Sequence, residues 1–225
     1  MSEWTLTLAV ARKDLLQEIR SKAVTVATLF FSGIVLFVLA FALGRDETLL
    51  KQVAPGILWV ALAFAGVISA AQSYQAELEE GAFEQFLIYP IPRATIYLGK
   101  LLANWLYMTL LGMFMLPLSA VLFGMPLASG WWQLLFTVAL GTLGFSLIAT
   151  FYAALTANLR ARESLLPVLM FPVVVPILLA AVRATTATVQ LDSTELTGDW
   201  LQLLAGFDLA YLVICTAIFH FLTEE

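Results

Sequence analysis

Residues 23–43 read AVTVATLFFSGIVLFVLAFAL, an apolar run of 21 residues without a charged side chain. An α-helix rises about 1.5 Å per residue, so this run covers about 31 Å, which matches the hydrocarbon core of a bilayer. The run is too long for the apolar part of a cleaved signal peptide, and no small-residue cleavage site follows it. It therefore predicts a membrane-spanning helix.

Five further apolar runs of similar length follow along the chain. They lie at residues 53–73, 101–123, 131–154, 164–182 and 200–219. The whole sequence is 61% hydrophobic and 12% charged, whereas soluble domains carry about 25% charged residues. So few charges do not cover a water-exposed surface of this size. We therefore predict an all-α membrane protein with about six transmembrane helices, built as a single permease domain over residues 1–225.

Lysines and arginines predict the orientation of the spans, because cytoplasmic loops are enriched in both. If both termini are cytoplasmic, three basic residues lie outside: Arg45, Lys51 and Arg183. The remaining eight of the 11 lie inside: Arg12, Lys13, Arg20, Lys22, Arg93, Lys100, Arg160 and Arg162. This imbalance predicts that both termini face the cytoplasm.

The segment before the first span is amphipathic. Its apolar side chains are Leu8, Leu15, Leu16 and Ile19, and its charged ones are Arg12, Lys13, Asp14 and Glu18. This pattern is typical of a helix that lies in the membrane interface, so we predict an interfacial helix within residues 1–22. The alternative is a simple cytoplasmic extension of the first span.

Groups that carry chemistry are scarce. The sequence has one cysteine, Cys215, and one histidine, His220, whereas a closed zinc site usually needs four ligands. No phosphate-binding loop of the G-x-x-x-x-G-K-[ST] type occurs, and no basic patch with interleaved aromatic residues indicates nucleic-acid binding. We therefore expect no enzymatic activity, no metal site and no directly bound cofactor.

The stretch between the second and third predicted spans, residues 77–100, reads ELEEGAFEQFLIYPIPRATIYLGK. In a helix, its acidic residues share one stripe: Glu77, Glu80 and Glu84. Its apolar residues form a neighbouring stripe: Phe83, Phe86 and Leu87. Pro90 and Pro92 then end the helix. The anionic cytoplasmic leaflet repels acidic residues, so the pattern favours docking in a protein groove. The alternative is a solvated connection.

Several features inside the spans fit either a functional or a packing role. Three prolines, Pro167, Pro172 and Pro176, predict bends in the fifth span, which would line a pathway, act as a hinge or reflect packing alone. In the fourth span, Gly141, Gly144 and Ser146 predict a surface for close helix contact, either inside the bundle or at a dimer seam.

Asp208 is the one acidic residue well inside a predicted span. Intramembrane charges are costly and usually have a function. The alternative, which we favour from the sequence, is a hydrogen bond to a neighbouring helix or an ion pair with Arg183.

The sequence resembles the haem exporter protein B family, the membrane subunit of the bacterial cytochrome c maturation complex. The similar segments occur in the same order over most of the chain: VAPGILWVA at 53–61, EGAFEQF at 80–86, Tyr89-Pro90, Gly99-Lys100, Asn104-Trp105, LGT at 140–142, LGF at 143–145, Phe171-Pro172 and PIL at 176–178. The carried-over residues of the loop are Glu80, Gly81, Glu84 and Pro90. A role in a pathway or in packing falls to Pro55, Trp59, Pro172, Pro176 and Asp208.

The resemblance implies a permease subunit with the six-span architecture of ABC-2-type exporters, in the bacterial inner membrane. It implies that the loop after the second span is the coupling helix, which sits in the groove of an ABC ATPase subunit. ATP would bind that partner, and haem would be handled by a second membrane subunit, a small single-span subunit and a haem chaperone. Because such ATPases work in pairs, two copies of this chain are expected.

Other functions stay open at this point. The ATP-driven step either releases haem-loaded chaperone, which we favour because the outer face offers no histidine, or passes haem through the subunit. The same architecture would serve an exporter of another small molecule or lipid. A stand-alone secondary transporter or a passive scaffold is a third possibility, for which Asp208 and the prolines are the only indications.

Overall fold

The computed structural model describes residues 3–44, 46–79, 93–126, 130–157, 162–189 and 194–221. Within these residues the chain forms seven α-helices and no strand. The helices are α1 Glu3–Ser21, α2 Ala23–Ala42, α3 Glu47–Glu79, α4 Arg93–Phe123, α5 Trp131–Thr156, α6 Arg162–Val189 and α7 Thr194–Phe221. Six of them, α2 to α7, are long and apolar enough to cross a membrane, which confirms the predicted number.

The N-terminal segment forms a helix of its own and not an extension of the first span. A single residue, Lys22, separates α1 from α2. Its φ of 55° is left-handed, a conformation that a residue with a side chain rarely adopts, and it turns the chain sharply. Glu18 supports the corner, because its Oε1 atom accepts hydrogen bonds from the backbone N–H (2.7 Å) and the hydroxyl of Thr25.

Helix α6 extends beyond the predicted span. It continues to Val189, seven residues past the predicted end at residue 182. The threonines of this extension belong to the helix, because each hydroxyl donates to the carbonyl one turn earlier: Thr185 to Ala181, Thr186 to Val182 and Thr188 to Ala184, each at 2.8 Å. A hydroxyl satisfied in this way is tolerated in an apolar environment.

Helix α5 is the centre of the bundle. It packs against α3, α4, α6 and α7. Of the 18 residues in its most apolar stretch, 72% are buried. Glycines allow this close packing, since a Cβ atom at Gly141 would lie 2.3 Å from the indole ring of Trp59. Two residues of the predicted small-residue surface make close helix contacts: Gly141 faces Trp59 of α3, and Gly144 faces Asp208 of α7. Helices α2 and α7 lie at the periphery, because only 17% of the residues in the most apolar stretch of each are buried.

The interior of the bundle is mainly apolar but includes many hydroxyl groups, and its outer surface exposes many large apolar side chains. Helix α2 buries Thr28, Ser32 and Leu36 at four-residue spacing, while Phe30 and Phe41 are 70% and 80% exposed. A surface of this kind is stable in lipid, where helices associate through small residues and hydrogen bonds and not through the hydrophobic effect.

A candidate coupling site and the polar groups of the bundle

The predicted coupling segment falls between α3 and α4. Glu77 belongs to the last turn of α3, which ends at Glu79, and α4 begins at Arg93. The other predicted residues of the segment lie outside the described residues: Glu80, Gly81, Phe83, Glu84, Phe86, Leu87 and Pro90. The short amphipathic helix and its role in docking therefore stay predictions. Helices α3 and α4, which the segment connects, are described. Their buried contacts nearest to the segment form a site around Lys100.

Lys100, two turns into α4, is the most buried charged residue in the described part of the chain, at 1% exposure. Its Nζ atom lies 3.3 Å from Oδ2 of Asp14 on α1. It also donates to the backbone carbonyl of Ser73 on α3 at 2.9 Å and lies 3.4 Å from the hydroxyl of the same residue. The ammonium group is 4.6 Å from the ring centre of Tyr74. One side chain thus links α1, α3 and α4.

Gly99, the neighbouring residue, lets α1 approach α4 closely. A Cβ atom at this position would lie 2.7 Å from Cβ of Val10 and 2.9 Å from the backbone oxygen of Thr7. Backbone atoms do not move as easily as the end of a flexible side chain, so any larger residue would push α1 away. The Gly99-Lys100 pair therefore holds the N-terminal helix against the start of α4.

This site was not predicted from the sequence. Lys100 was counted with a cytoplasmic loop and the third span was predicted to start at residue 101, whereas Lys100 is buried within helix α4, Arg93–Phe123. A charge next to an apolar run usually marks the end of a span. Lys100 departs from that rule because Asp14 and the Ser73 carbonyl replace its hydration. The available signal was Gly99, since a glycine beside a charge at the end of a helix often permits a close contact.

A pocket lined by both polar and apolar groups lies beside this site. It has a volume of about 110 Å³ and opens between α1, α2, α3 and α4. Its lining includes the carboxylates of Asp14 and Glu18 and the amides of Gln17, Gln72 and Asn104. At its inner end, Ser69 donates to Oδ1 of Asn104 at 2.8 Å. Polar groups therefore line the pocket from the ends of α3 and α4, which residues 80–92 connect, toward the interior of the bundle.

Asn104 continues this polar contact into the central helix. Its Nδ2 atom donates to the hydroxyl of Thr150 on α5 at 3.2 Å, and its exposure is 5%. One amide therefore connects α3, α4 and α5, a turn further along α4 than Lys100. Asn104 was part of the similar segments but was not assigned a role.

Trp59 and Pro55, which we assigned to a pathway or to packing, both lie in the interior on α3. Nε1 of Trp59 donates to the hydroxyl of Thr185 on α6 at 2.9 Å. The ring fills the notch at Gly141 described above. On α6, Pro172 is exposed and Pro176 is half-buried, and the helix continues through both. These contacts describe a packing role for Trp59 and leave the roles of the prolines as predictions.

Asp208 is buried on α7, at 5% exposure. Neither of its carboxyl oxygens has a hydrogen-bond partner in the part of the chain that the structure describes, and Arg183 is exposed. The hydrogen bond or ion pair that we favoured from the sequence is therefore not formed. The structure also moves Asp208 deeper than predicted: it is the central residue of the span Thr197–Phe219, eleven positions from either end.

Among the described residues, no three histidine, cysteine, aspartate or glutamate side chains are grouped as a metal site would require. The buried polar side chains of the described residues are hydroxyls, one amide, one ammonium and one carboxyl group. Two of them join three helices each, Lys100 and Asn104.

Comparisons with known proteins agree with this architecture. A family model described as CcmB protein matches residues 5–222. Heme exporter protein B of Pseudomonas aeruginosa is 35% identical over 162 residues, which cover 72% of this chain and 72% of the relative. Heme exporter protein B of Haemophilus influenzae is 30% identical over 174 residues, 77% of this chain and 78% of the relative.

A third relative gives the same result. Heme exporter protein B of Rhodobacter capsulatus is 33% identical over 171 residues, 76% of this chain and 78% of the relative. The matches cover most of the chain, and six helices are suited to cross a bilayer. This chain is therefore a multi-pass membrane protein that belongs to the CcmB protein family.

Proposed function

We propose that this chain is the membrane subunit of a haem transporter that serves c-type cytochrome maturation. We further propose that a partner ATPase drives it through residues 77–90. The observation that carries the first part is the match to relatives named heme exporter protein B over more than two thirds of both chains.

The second part concerns the drive. The proposed coupling segment connects α3 to α4, and Lys100 binds Ser73 on α3 from its position on α4. Two helices joined in this way move together when a partner pushes the segment between them. The predicted acidic and apolar stripes would give that partner a specific groove to fill.

The proposed setting follows from the same family membership. We place the chain in the bacterial inner membrane with both termini in the cytoplasm, as two copies per complex. Its partners are the ATPase pair, a haem-handling membrane subunit, a small single-span subunit and a haem chaperone. The basic residues support this orientation: with Lys100 counted as buried, seven remain inside against three outside, so the direction of the imbalance is unchanged.

The ATPase contact is tested by co-purification from membranes that contain the whole complex. We expect Phe83→Ala combined with Glu84→Lys to reduce recovery of the ATPase by at least tenfold. The matched control is Phe114→Ala combined with Glu47→Lys, which changes the same residue types at exposed positions of α4 and α3. Equal recovery of the ATPase from both variants would show that the segment is not the drive.

We also propose that the ATP-driven movement releases haem-loaded chaperone and does not conduct haem through this chain. The one histidine of the sequence, His220, stands at the end of the chain that we place inside, far from any outer haem site. Haem bound to the chaperone is measured in cells that lack this subunit. We expect haem-loaded chaperone to accumulate on the complex. A chaperone that acquires no haem would contradict release and favour conduction.

A further inference from the structure

Asp208 is an isolated carboxyl group at the middle of the candidate span Thr197–Phe219. It is 95% buried, and both oxygens lack a hydrogen-bond partner among the described residues. Buried polar groups in native proteins are normally paired. An exception of this kind, in the middle of a span, calls for a functional explanation.

The carboxyl group of Asp208 fits into the space left by Gly144 on α5, which we call the seat of the carboxyl group. A Cβ atom at Gly144 would lie 2.3 Å from Oδ1 of Asp208 and 2.8 Å from the end of the Ile177 side chain. The carboxyl group thus occupies the space that glycine leaves on α5, with α6 beside it. Helix α7 contacts the bundle at Gly144, although only 17% of the residues in its most apolar stretch are buried.

The elements that surround Asp208 supply no cation to it. Helix α5, Trp131–Thr156, contains no charged residue. On α6, the charged residue within the span is Arg183, which is exposed and lies six positions beyond Ile177, about 9 Å along the helix. On α4, Lys100 is engaged by Asp14 and Ser73.

Three further titratable side chains on α7 are described, and none of them pairs with Asp208. On α7 itself, Asp199 is exposed and nine positions away. Tyr211 donates its hydroxyl to the carbonyl of Val173 at 3.3 Å. Cys215 is buried two turns further along the helix, beside Tyr97 of α4.

An ionised carboxylate without a cation or a donor is too costly in apolar surroundings, and such a group takes up a proton instead. We propose that Asp208 is a proton-binding site at the centre of the bundle. The site holds one proton on its carboxyl group while α7 is packed on Gly144. When α7 separates from α5, water reaches the seat, the carboxyl group ionises and the proton passes to that water.

This proposal gives α7 a role in the transport cycle. Return of α7 to the bundle requires that the carboxylate first takes up a proton again from water. Each separation and return therefore binds and releases one proton, and the helix does not close while the group is charged.

The site itself is tested with the membrane-soluble reagent dicyclohexylcarbodiimide, which adds to neutral carboxylic acids. The acid proton moves to a nitrogen of the reagent and the carboxyl oxygen bonds to its carbon, so the adduct forms without a leaving group. We expect one adduct per chain, mapped by mass spectrometry to Asp208, and none on Asp199, which is exposed to water. Absence of the Asp208 adduct in folded protein would overturn the proposal.

The role in the cycle is tested by Asp208→Asn, because an amide keeps the shape of the neutral acid and does not ionise. We expect this variant to fold and assemble as the parent does and to lower the rate of c-type cytochrome maturation at least tenfold. Asp199→Asn is the matched control on the same helix and should retain the parental rate. Full activity of folded Asp208→Asn would refute proton exchange.

The second measurement rests on the proposed function, whereas the adduct does not. If the proposed function is wrong but Asp208 binds a proton, the adduct still forms. If Asp208 does not bind a proton, the adduct does not form. If Asp208→Asn does not fold, the carboxyl group has a structural partner, and the proposal is wrong.

Discussion

Removal of either partner of the ion pair between Lys100 and Asp14 should loosen α1, and the two removals should differ in size. The Asp14 side chain is 13% exposed and lies 3.1 Å from Lys13 as well, whereas Lys100 is 1% exposed. Asp14→Asn therefore leaves a buried ammonium group without its carboxylate. Lys100→Met leaves a carboxylate that still reaches water and a second lysine.

The structure gives the magnitude of this difference. Loss of one partner from a fully buried pair costs about 3–5 kcal/mol. The Ser73 carbonyl continues to accept from Lys100, so we expect about 2–3 kcal/mol for Asp14→Asn. For Lys100→Met we expect about 1 kcal/mol or less, as for a partly exposed pair. The double variant should recover most of the loss caused by Asp14→Asn, because neither charge is then left alone.

Release of α1 can be followed by a single cysteine at Val10. This residue is 8% exposed and packs on Gly99, so a maleimide reaches it only when α1 leaves α4. The native Cys215 is first replaced by alanine. A tenfold change in an equilibrium constant corresponds to about 1.4 kcal/mol, so Asp14→Asn should raise the labelling rate about 30-fold to 150-fold. Lys100→Met should raise it no more than about fivefold.

The control is Glu47→Gln, which removes one partner of an exposed ion pair with Lys51 and should leave the labelling rate unchanged. Faster labelling in Lys100→Met than in Asp14→Asn would refute the reasoning, because burial would then not decide the cost. So would a double variant that labels as fast as Asp14→Asn.

Two further predictions concern the interior. Gly141→Ala should lower the midpoint of thermal unfolding by several degrees, because the added methyl group meets the Trp59 ring, and Trp59→Phe should recover part of that loss. The control is Gly56→Ala, which should cause no loss because nothing lies within 4 Å of the added methyl group. An equal loss at both glycines would contradict the packing argument. Asn104→Leu should cost about 1–3 kcal/mol of unfolding free energy in detergent, because it leaves the hydroxyls of Ser69 and Thr150 without their amide; an unchanged denaturation midpoint would show that the amide contributes nothing.

The number of helices able to span a membrane could be predicted from the sequence, because bilayer thickness imposes a length on every span. The ends could not be located as well. Thr185 and Thr188 resemble loop residues in composition, yet their hydroxyls bond within α6. Hydropathy treats such a hydroxyl as polar, whereas the folded helix has already satisfied it.

The candidate site was harder to predict, because it depends on a contact between distant parts of the chain. Lys100 was interpreted as a loop residue since its partner, Asp14, is 86 positions away. Asp208 was noticed as a buried charge, but an ion pair with Arg183 could be excluded only from the packing of α5, α6 and α7. Gly144 gave no indication in the sequence that it provides space for a carboxyl group.

The one-residue corner at Lys22 makes chain length as important there as residue identity. Insertion or deletion of a single residue would turn α1 by about 100° around its axis and shift it by about 1.5 Å. Asp14 would then point along the membrane surface instead of toward Lys100, and Val10 would leave Gly99. Homologous chains that keep this contact should therefore show no gap between α1 and α2.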